Sequence, residues 1–352
     1  MSSHLDALLE FVRRRLIELL GRLVAVAVSR EGRSLDDRRA LTRCGRSRGR
    51  LRGVCRLRAR PEAPPRMRPK SAVVMQKSID HFSTNPSAGE NASAGRRLLA
   101  ADEPPAVIAE RRQGGSAFVI VVDHASARIP RRLGNLGVPT PQLQRHIAWD
   151  IGSLAVARQV AAALDAPLVA QNYSRLVIDC NRDPRVATSI PQVSESVAIP
   201  GNIGLSDDEV AARRTEIFDP YHDHVRALLD ERLAEGRPTI LVAQHTMTDI
   251  YHGVRREMHA AVLYNRDRRF AGLVLDLLRR DSNLLIGDNE PYFVSDETDY
   301  SIPYHGEARN LPHVEIEIRQ DLVSDEAGQA DWARRIQRTL QEAEAAFFGA
   351  SS

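Results

Sequence analysis

Lysine is almost missing from this 352-residue chain: only Lys70 and Lys77 occur, so arginine supplies nearly all of the positive charge. That pattern reflects base composition of the coding sequence more than selection for guanidinium chemistry, so an arginine argues for function only through its position. Cysteine is scarce too. Cys44, Cys55 and Cys180 fit no disulfide or metal-ligand spacing, which excludes a disulfide scaffold and a cysteine-built zinc centre and makes a reducing, cytoplasmic setting the default. Long hydrophobic runs are missing as well: Leu16 to Val28 is interrupted by Glu18 and Arg22 and is too short to span a bilayer. Its arginines fall inside as well as before the apolar part, and no small-residue cleavage site closes it, unlike a secretory signal. No phosphate-binding glycine pattern occurs, since Gly114-Gly115 precedes an expected strand rather than following one.

What is present is divided unevenly. Residues 1–74 carry 19 Lys+Arg against 7 Asp+Glu, which leaves 30 against 39 for the rest of the chain. The basic leader therefore opposes an acidic body. Such a leader reads as a disordered segment or an over-extended start upstream of Met75; a nucleic-acid tail is the competing reading, but interleaved aromatics and repeats are lacking. Residues 76–113 are rich in Ser, Asn, Ala, Gly and Pro and read as a flexible lead-in, so the folded domain is expected over 114–350.

Within that domain, apolar β-type runs at 117–122, 167–172, 175–180, 239–244, 259–264 and 313–318 alternate with helical patterns at 141–164, 206–235, 267–281 and 326–348. The alternation predicts an α/β fold, a three-layer α/β/α domain around a mixed, mostly parallel sheet. Ligands of such sheets bind beyond the carboxyl ends of the strands, and His124, Asn181, Arg182 and His245 fall at or just after those ends.

His124 and His245, each closing an apolar strand, can share a divalent metal, for which zinc needs a third His or acidic ligand and an open position for water. The segment His146-Ile147-Ala148-Trp149-Asp150-Ile151-Gly152 offers two candidates four apart on an expected helix, and the pattern leaves Asp150 or His146 open. In Val314-Glu315-Ile316-Glu317-Ile318-Arg319, alternation puts both glutamates on one face of a strand. Buried carboxylates need a cation, a metal or a water, and Glu317, nearer the carboxyl end, is the expected general base. Arg175, Asn181 and Arg182 bracket an apolar run and suggest a small anionic substrate, although an ion pair of these arginines with Asp179 or Asp183 is the plainer alternative. Tyr292 belongs to a loop that can close over a ligand, and the polar segment Asp299 to Glu307 reads as a functional loop.

Taken together, Asp123-His124-Ala125-Ser126 with Ile129-Pro130, the segment His146 to Gly152, Ser174 to Arg182, Pro220-Tyr221-His222 and Ile316-Glu317-Ile318-Arg319 resemble the N-formylglutamate amidohydrolase family over about residues 115–325. The resemblance implies a zinc-carboxypeptidase-like, phosphorylase/hydrolase-like fold with one divalent metal, zinc, on His124, Asp150 and His245. It implies an amidohydrolase, a hydrolase of carbon–nitrogen bonds other than peptide bonds, that cleaves N-formyl-L-glutamate to formate and L-glutamate in histidine degradation. Glu317 is then the catalytic base, while Arg175, Asn181, Arg182 and Tyr292 bind the substrate. Carboxypeptidases take two ligands from His-x-x-Glu, whereas the third residue after His124 is Ala127, so Asp150 stands in for the acid. Other N-acyl amino acids or small peptides are the alternative substrates. Membrane association is not expected, and the pattern carries no signal for an oligomeric state.

Overall fold

The structure, a computed structural model, describes residues 97–349; the rest of the leader, with Met75 and the basic segment, lies outside the described residues. Its strands are β1 (Val107–Glu110), β2 (Phe118–Val122), β3 (Leu168–Gln171), the hairpin of β4 (Val193–Ser194) and β5 (Val197–Ala198), β6 (Ile240–Met247), the hairpin of β7 (Ile250–Tyr251) and β8 (Val254–Arg255), β9 (Ala260–Leu263), β10 (Ile286–Asp288) and β11 (His313–Arg319). Helices are α1 (Thr140–Leu143), α2 (Ser153–Leu164), α3 (Asp207–Arg213), α4 (Asp219–Ala234), α5 (Arg269–Leu278) and α6 (Glu326–Gly349).

Seven strands form the central sheet in the order β1-β3-β2-β6-β11-β9-β10. β3, β2, β6 and β11 run parallel, whereas β9 opposes β11 and β1 opposes β3, so the sheet is mixed and mostly parallel. Strand alternation divides the core in two. Phe118, Ile120, Val122, Val242 and Ile316 pack under α2, α5 and α6. Val119, Val121, Leu241 and Ala243 pack under α4 and the long connections. This is the three-layer arrangement expected from the sequence.

Three details correct that expectation. The ordered body begins before Gly114: Leu98 and Leu99 donate their backbone N–H groups to Glu216, and β1 lines the edge of β3. The expected helix 141–164 is broken, with α1 ending at Leu143 and α2 starting at Ser153. A helix through residue 150 would spend the Asp150 N–H on its own turn; instead it donates to the carbonyl of His124 at 2.9 Å. Residues 175–180 form no strand. They are buried turns beneath α4 whose carbonyls accept from side chains: Leu176 from Asn202, Val177 from Arg213 and Cys180 from His222. Side chains thus do the pairing that a neighbouring strand would otherwise do, which keeps buried backbone satisfied without a ladder. β1 and β10, both at sheet edges, were not expected.

Candidate metal and catalytic site

β2 stops at Val122, which leaves Asp123 and His124 at its carboxyl end. Beside it, β6 carries His245, and the parallel register of β11 sets Glu317 opposite His245 and Glu315 opposite Ala243. His245, Glu315 and Glu317 therefore project to the same side of the sheet, the side of α4. On its other flank Glu317 is opposite Ala261, a small side chain that leaves room beside the carboxyl group.

The turn before α2 brings in the third ligand. Gly152 holds a left-handed φ of +83°, and a Cβ there would lie 2.5 Å from the carbonyl oxygen of Val323, so only glycine lets the chain turn here. Asp150 is thereby aimed at both imidazoles: its Oδ2 is 3.0 Å from His245 Nδ1 and 3.4 Å from His124 Nδ1. The Thr246 N–H and hydroxyl hold the same turn, donating to Asp150 Oδ2 and to the Ile151 carbonyl.

Both remaining imidazole nitrogens are tied to carboxylates. His124 Nε2 donates to Asp179 Oδ1 at 2.8 Å, and His245 Nε2 donates to Asp123 Oδ2 at 3.1 Å. Asp179 is fixed in turn by Arg175, and Asp123 Oδ1 accepts from the Tyr221 and Ser301 hydroxyls at 2.8 and 2.6 Å. This is the arrangement in which a carboxylate sets the tautomer of a metal-ligating histidine, leaving Nδ1 of each ring free to bind.

The residues fit a metal. One atom from each of His124, Asp150 and His245 lies within 4.8 Å of the others, and ligands about 2.1 Å from a tetrahedral zinc stand roughly 3.4 Å apart. All three side chains are buried, and the donor set of two nitrogens and one carboxylate oxygen suits zinc. Burial opposes charge on His245, but Glu315, Asp123 and Asp150 outweigh it and hold the proton well above the ordinary histidine range. Burial likewise opposes the ionised Asp150, yet His124 and His245 keep it ionised. The cluster is built to carry charge.

Glu317 is 8% exposed, and its Oε2 has no hydrogen-bond partner. Burial pushes its carboxyl up to about 7, with His245 pulling the other way. A buried carboxyl near neutrality, free to accept a proton, is what a general base at this position requires. Glu315 is also buried with an unpartnered Oε2, and burial raises it well above the usual range.

The other expected residues divide. His146 is not brought to the imidazoles; its Nε2 lies 3.2 Å from Glu195 Oε1, outside hydrogen-bond geometry. The expected helix that paired it with Asp150 is absent, which removes the geometric reason for offering it as a ligand. Arg175 reaches the site but is largely engaged, with Nε and Nη2 on Asp179 and Nη1 3.5 Å from Asp150 Oδ1. Asn181 is buried, its oxygen accepting from the Tyr300 and Ser301 N–H groups and its amide donating to Asp299. Arg182 donates to the Thr298 carbonyl. Tyr292, from the loop after β10, keeps 37% of its surface exposed, and the Arg256 guanidinium lies over its ring. Burial raises its phenol to about 12, Glu317 adds to this, and Arg256 and Arg175 oppose it.

The sequence pattern alone does not single out Asp123 and Asp179 as supports of the histidines. The signal was a carboxylate closing an apolar run, directly before His124 in one case and in Leu176-Val177-Ile178-Asp179-Cys180 in the other. The polar segment after Asp299 does meet the site, through Ser301 and through His305, whose Nε2 is 2.9 Å from His222 Nδ1. That histidine pair is buried and kept neutral, with burial carrying His222 down to about 4.

Residues 116–324 match the family described as N-formylglutamate amidohydrolase. The chain belongs to this family. The gene product Atu2144 of Agrobacterium tumefaciens, known from a crystal structure, is 36% identical with a TM-score of 0.69, over 71% of this chain and 99% of its own. The N-formylglutamate amidohydrolase of Ralstonia eutropha JMP134 is 20% identical with a TM-score of 0.48, over 70% of this chain and all of its own. No curated protein matches. Family membership makes this chain an amidohydrolase, acting on carbon–nitrogen bonds other than peptide bonds.

Proposed function

We propose that the chain hydrolyses the N-formyl amide of an acidic amino acid, N-formyl-L-glutamate first among them, to formate and the free amino acid. The observation that carries the reading is the convergence of His124 Nδ1, His245 Nδ1 and Asp150 Oδ2 beside the unpartnered Glu317 carboxyl. When bound to His124, Asp150 and His245, a zinc ion would supply a Lewis acid and make water a nucleophile near neutral pH. Glu317 takes the proton from the attacking water and returns it to the leaving amine, so one carboxyl serves both halves of the reaction. Arg182 and Tyr292, with the accessible part of Arg175, receive the carboxylates of a small anionic substrate. Asn181 acts on that substrate by holding the loop at Tyr300 and Ser301.

No helix among the described residues is long and apolar enough to cross a membrane. The proposed substrate is a degradation intermediate of histidine, and the proposed place of action is the cytoplasm. Measuring formate release from N-formyl-L-glutamate, N-formyl-L-aspartate and N-acetyl-L-glutamate, with and without added zinc, tests the reading. Turnover of the first at the highest kcat/KM, lost on chelation, is expected; turnover that survives exhaustive chelation would overturn the metal assignment, and preference for the acetyl compound the substrate assignment.

A further inference from the structure

Resting on the substrate class just proposed, we infer that Arg256 is a specificity-determining residue that binds one of the two carboxylates of the substrate. Arg175 is a poor sole candidate for that role, because Asp179 takes two of its donors and Asp150 lies beside a third. Its charge is already matched inside the protein. A dicarboxylic substrate needs further cations that are not spent in this way.

Arg256 differs from its neighbours in this respect. Arg255 and Arg319 both pair with Asp321. Arg256 has no carboxylate partner among the described residues; its guanidinium lies 4.9 Å from the centre of the Tyr251 ring and 4.5 Å from that of Tyr292, with one donor on the Thr248 carbonyl. Stacking on aromatic faces orients a guanidinium while leaving edge N–H groups for a ligand, which lysine could not do.

Its position suits the task. The Arg256 N–H donates to the Asp249 carbonyl, and the Arg256 carbonyl accepts from Arg319, so the residue is fixed just past the carboxyl ends of β6 and β11. Thr248 is three residues beyond His245, about 10 Å along an extended chain. An N-formylglutamyl skeleton and one hydrogen bond cover that reach. Tyr292, already placed on the substrate side, carries the Arg256 guanidinium over its ring. Ligands of such sheets lie along this edge.

The test is a cycle between residue and substrate, with Arg256→Gln assayed on N-formyl-L-glutamate and on its two monoamides, N-formyl-L-glutamine and N-formyl-L-isoglutamine. Expected is a rise in KM of about tenfold or more on the diacid, reproduced on one monoamide and absent on the other, whose lost carboxylate is then the one that Arg256 holds. A penalty of equal size on all three substrates, or none on any, overturns the assignment. Arg256→Lys, which keeps the charge and loses the stacked fork, should fall between wild type and the glutamine variant, and circular dichroism checks that each variant is folded. Wild-type protein that releases formate from none of the three overturns the substrate class, and this assignment with it.

Discussion

Glu317 stands between opposing influences: burial favours its neutral form, and the nearby imidazoles favour its charge. Burying a carboxyl oxygen without a hydrogen-bond partner is costly, and β11 sets this one at the register of His245. Glu317→Gln keeps shape and volume and removes the base, so kcat should fall by about 10²–10⁴ while zinc binding persists. Zinc stoichiometry on the inactive variant checks this, and an active variant would remove Glu317 from the role. Asp123 and Asp179 contribute one step back from the ligands, by fixing Nε2–H on each ring. Asp123→Asn or Asp179→Asn should weaken zinc binding by about 10–100-fold in competition with a chromogenic chelator; unchanged affinity would show that neither carboxylate orients its histidine.

At the scale of elements, the site is made by three strand ends and one turn, and these are unequally legible. β2, β6 and β11 are apolar runs that close on polar residues, so the sequence alone places His124, His245 and Glu317 at strand ends. The turn at 144–152 could not, because its residues carry a helical spacing and what breaks the helix is a tertiary bond from the Asp150 N–H to the His124 carbonyl. The apolar run 175–180 misled for a related reason: burial alone looks like a strand, and only the folded chain reveals that Asn202, Arg213 and His222 take its carbonyls. The turn makes its own prediction through Gly152. With φ of +83° and Val323 O in the path of a Cβ, Gly152→Ala should cost about 1–3 kcal/mol in denaturant unfolding and weaken zinc binding by displacing Asp150. A variant of native stability and affinity would mean that the turn relaxes freely.

For the molecule as a whole, the site is a block of buried charge whose balance depends on protons or on metal. Arg175 and two protonated imidazoles face the ionised Asp123, Asp150 and Asp179. A divalent ion taking the place of two imidazole protons leaves that balance unchanged, so metal and protons compete for one site. Without metal, the histidines have folded pKa values above their unfolded ones. The native state then binds more protons than the unfolded state between those values, and stability falls as pH rises through that window. With metal the imidazoles are already deprotonated and this loss disappears. Zinc at about a thousand times its Kd adds roughly 4 kcal/mol, or about 10 °C in Tm for a domain of this size. The gap between zinc-loaded and chelated protein should therefore widen as pH rises above the ordinary histidine range, and calorimetry at several pH values measures it directly. A gap that narrowed with rising pH would mean that His124 and His245 do not surrender protons when the metal binds, and that the ion sits elsewhere.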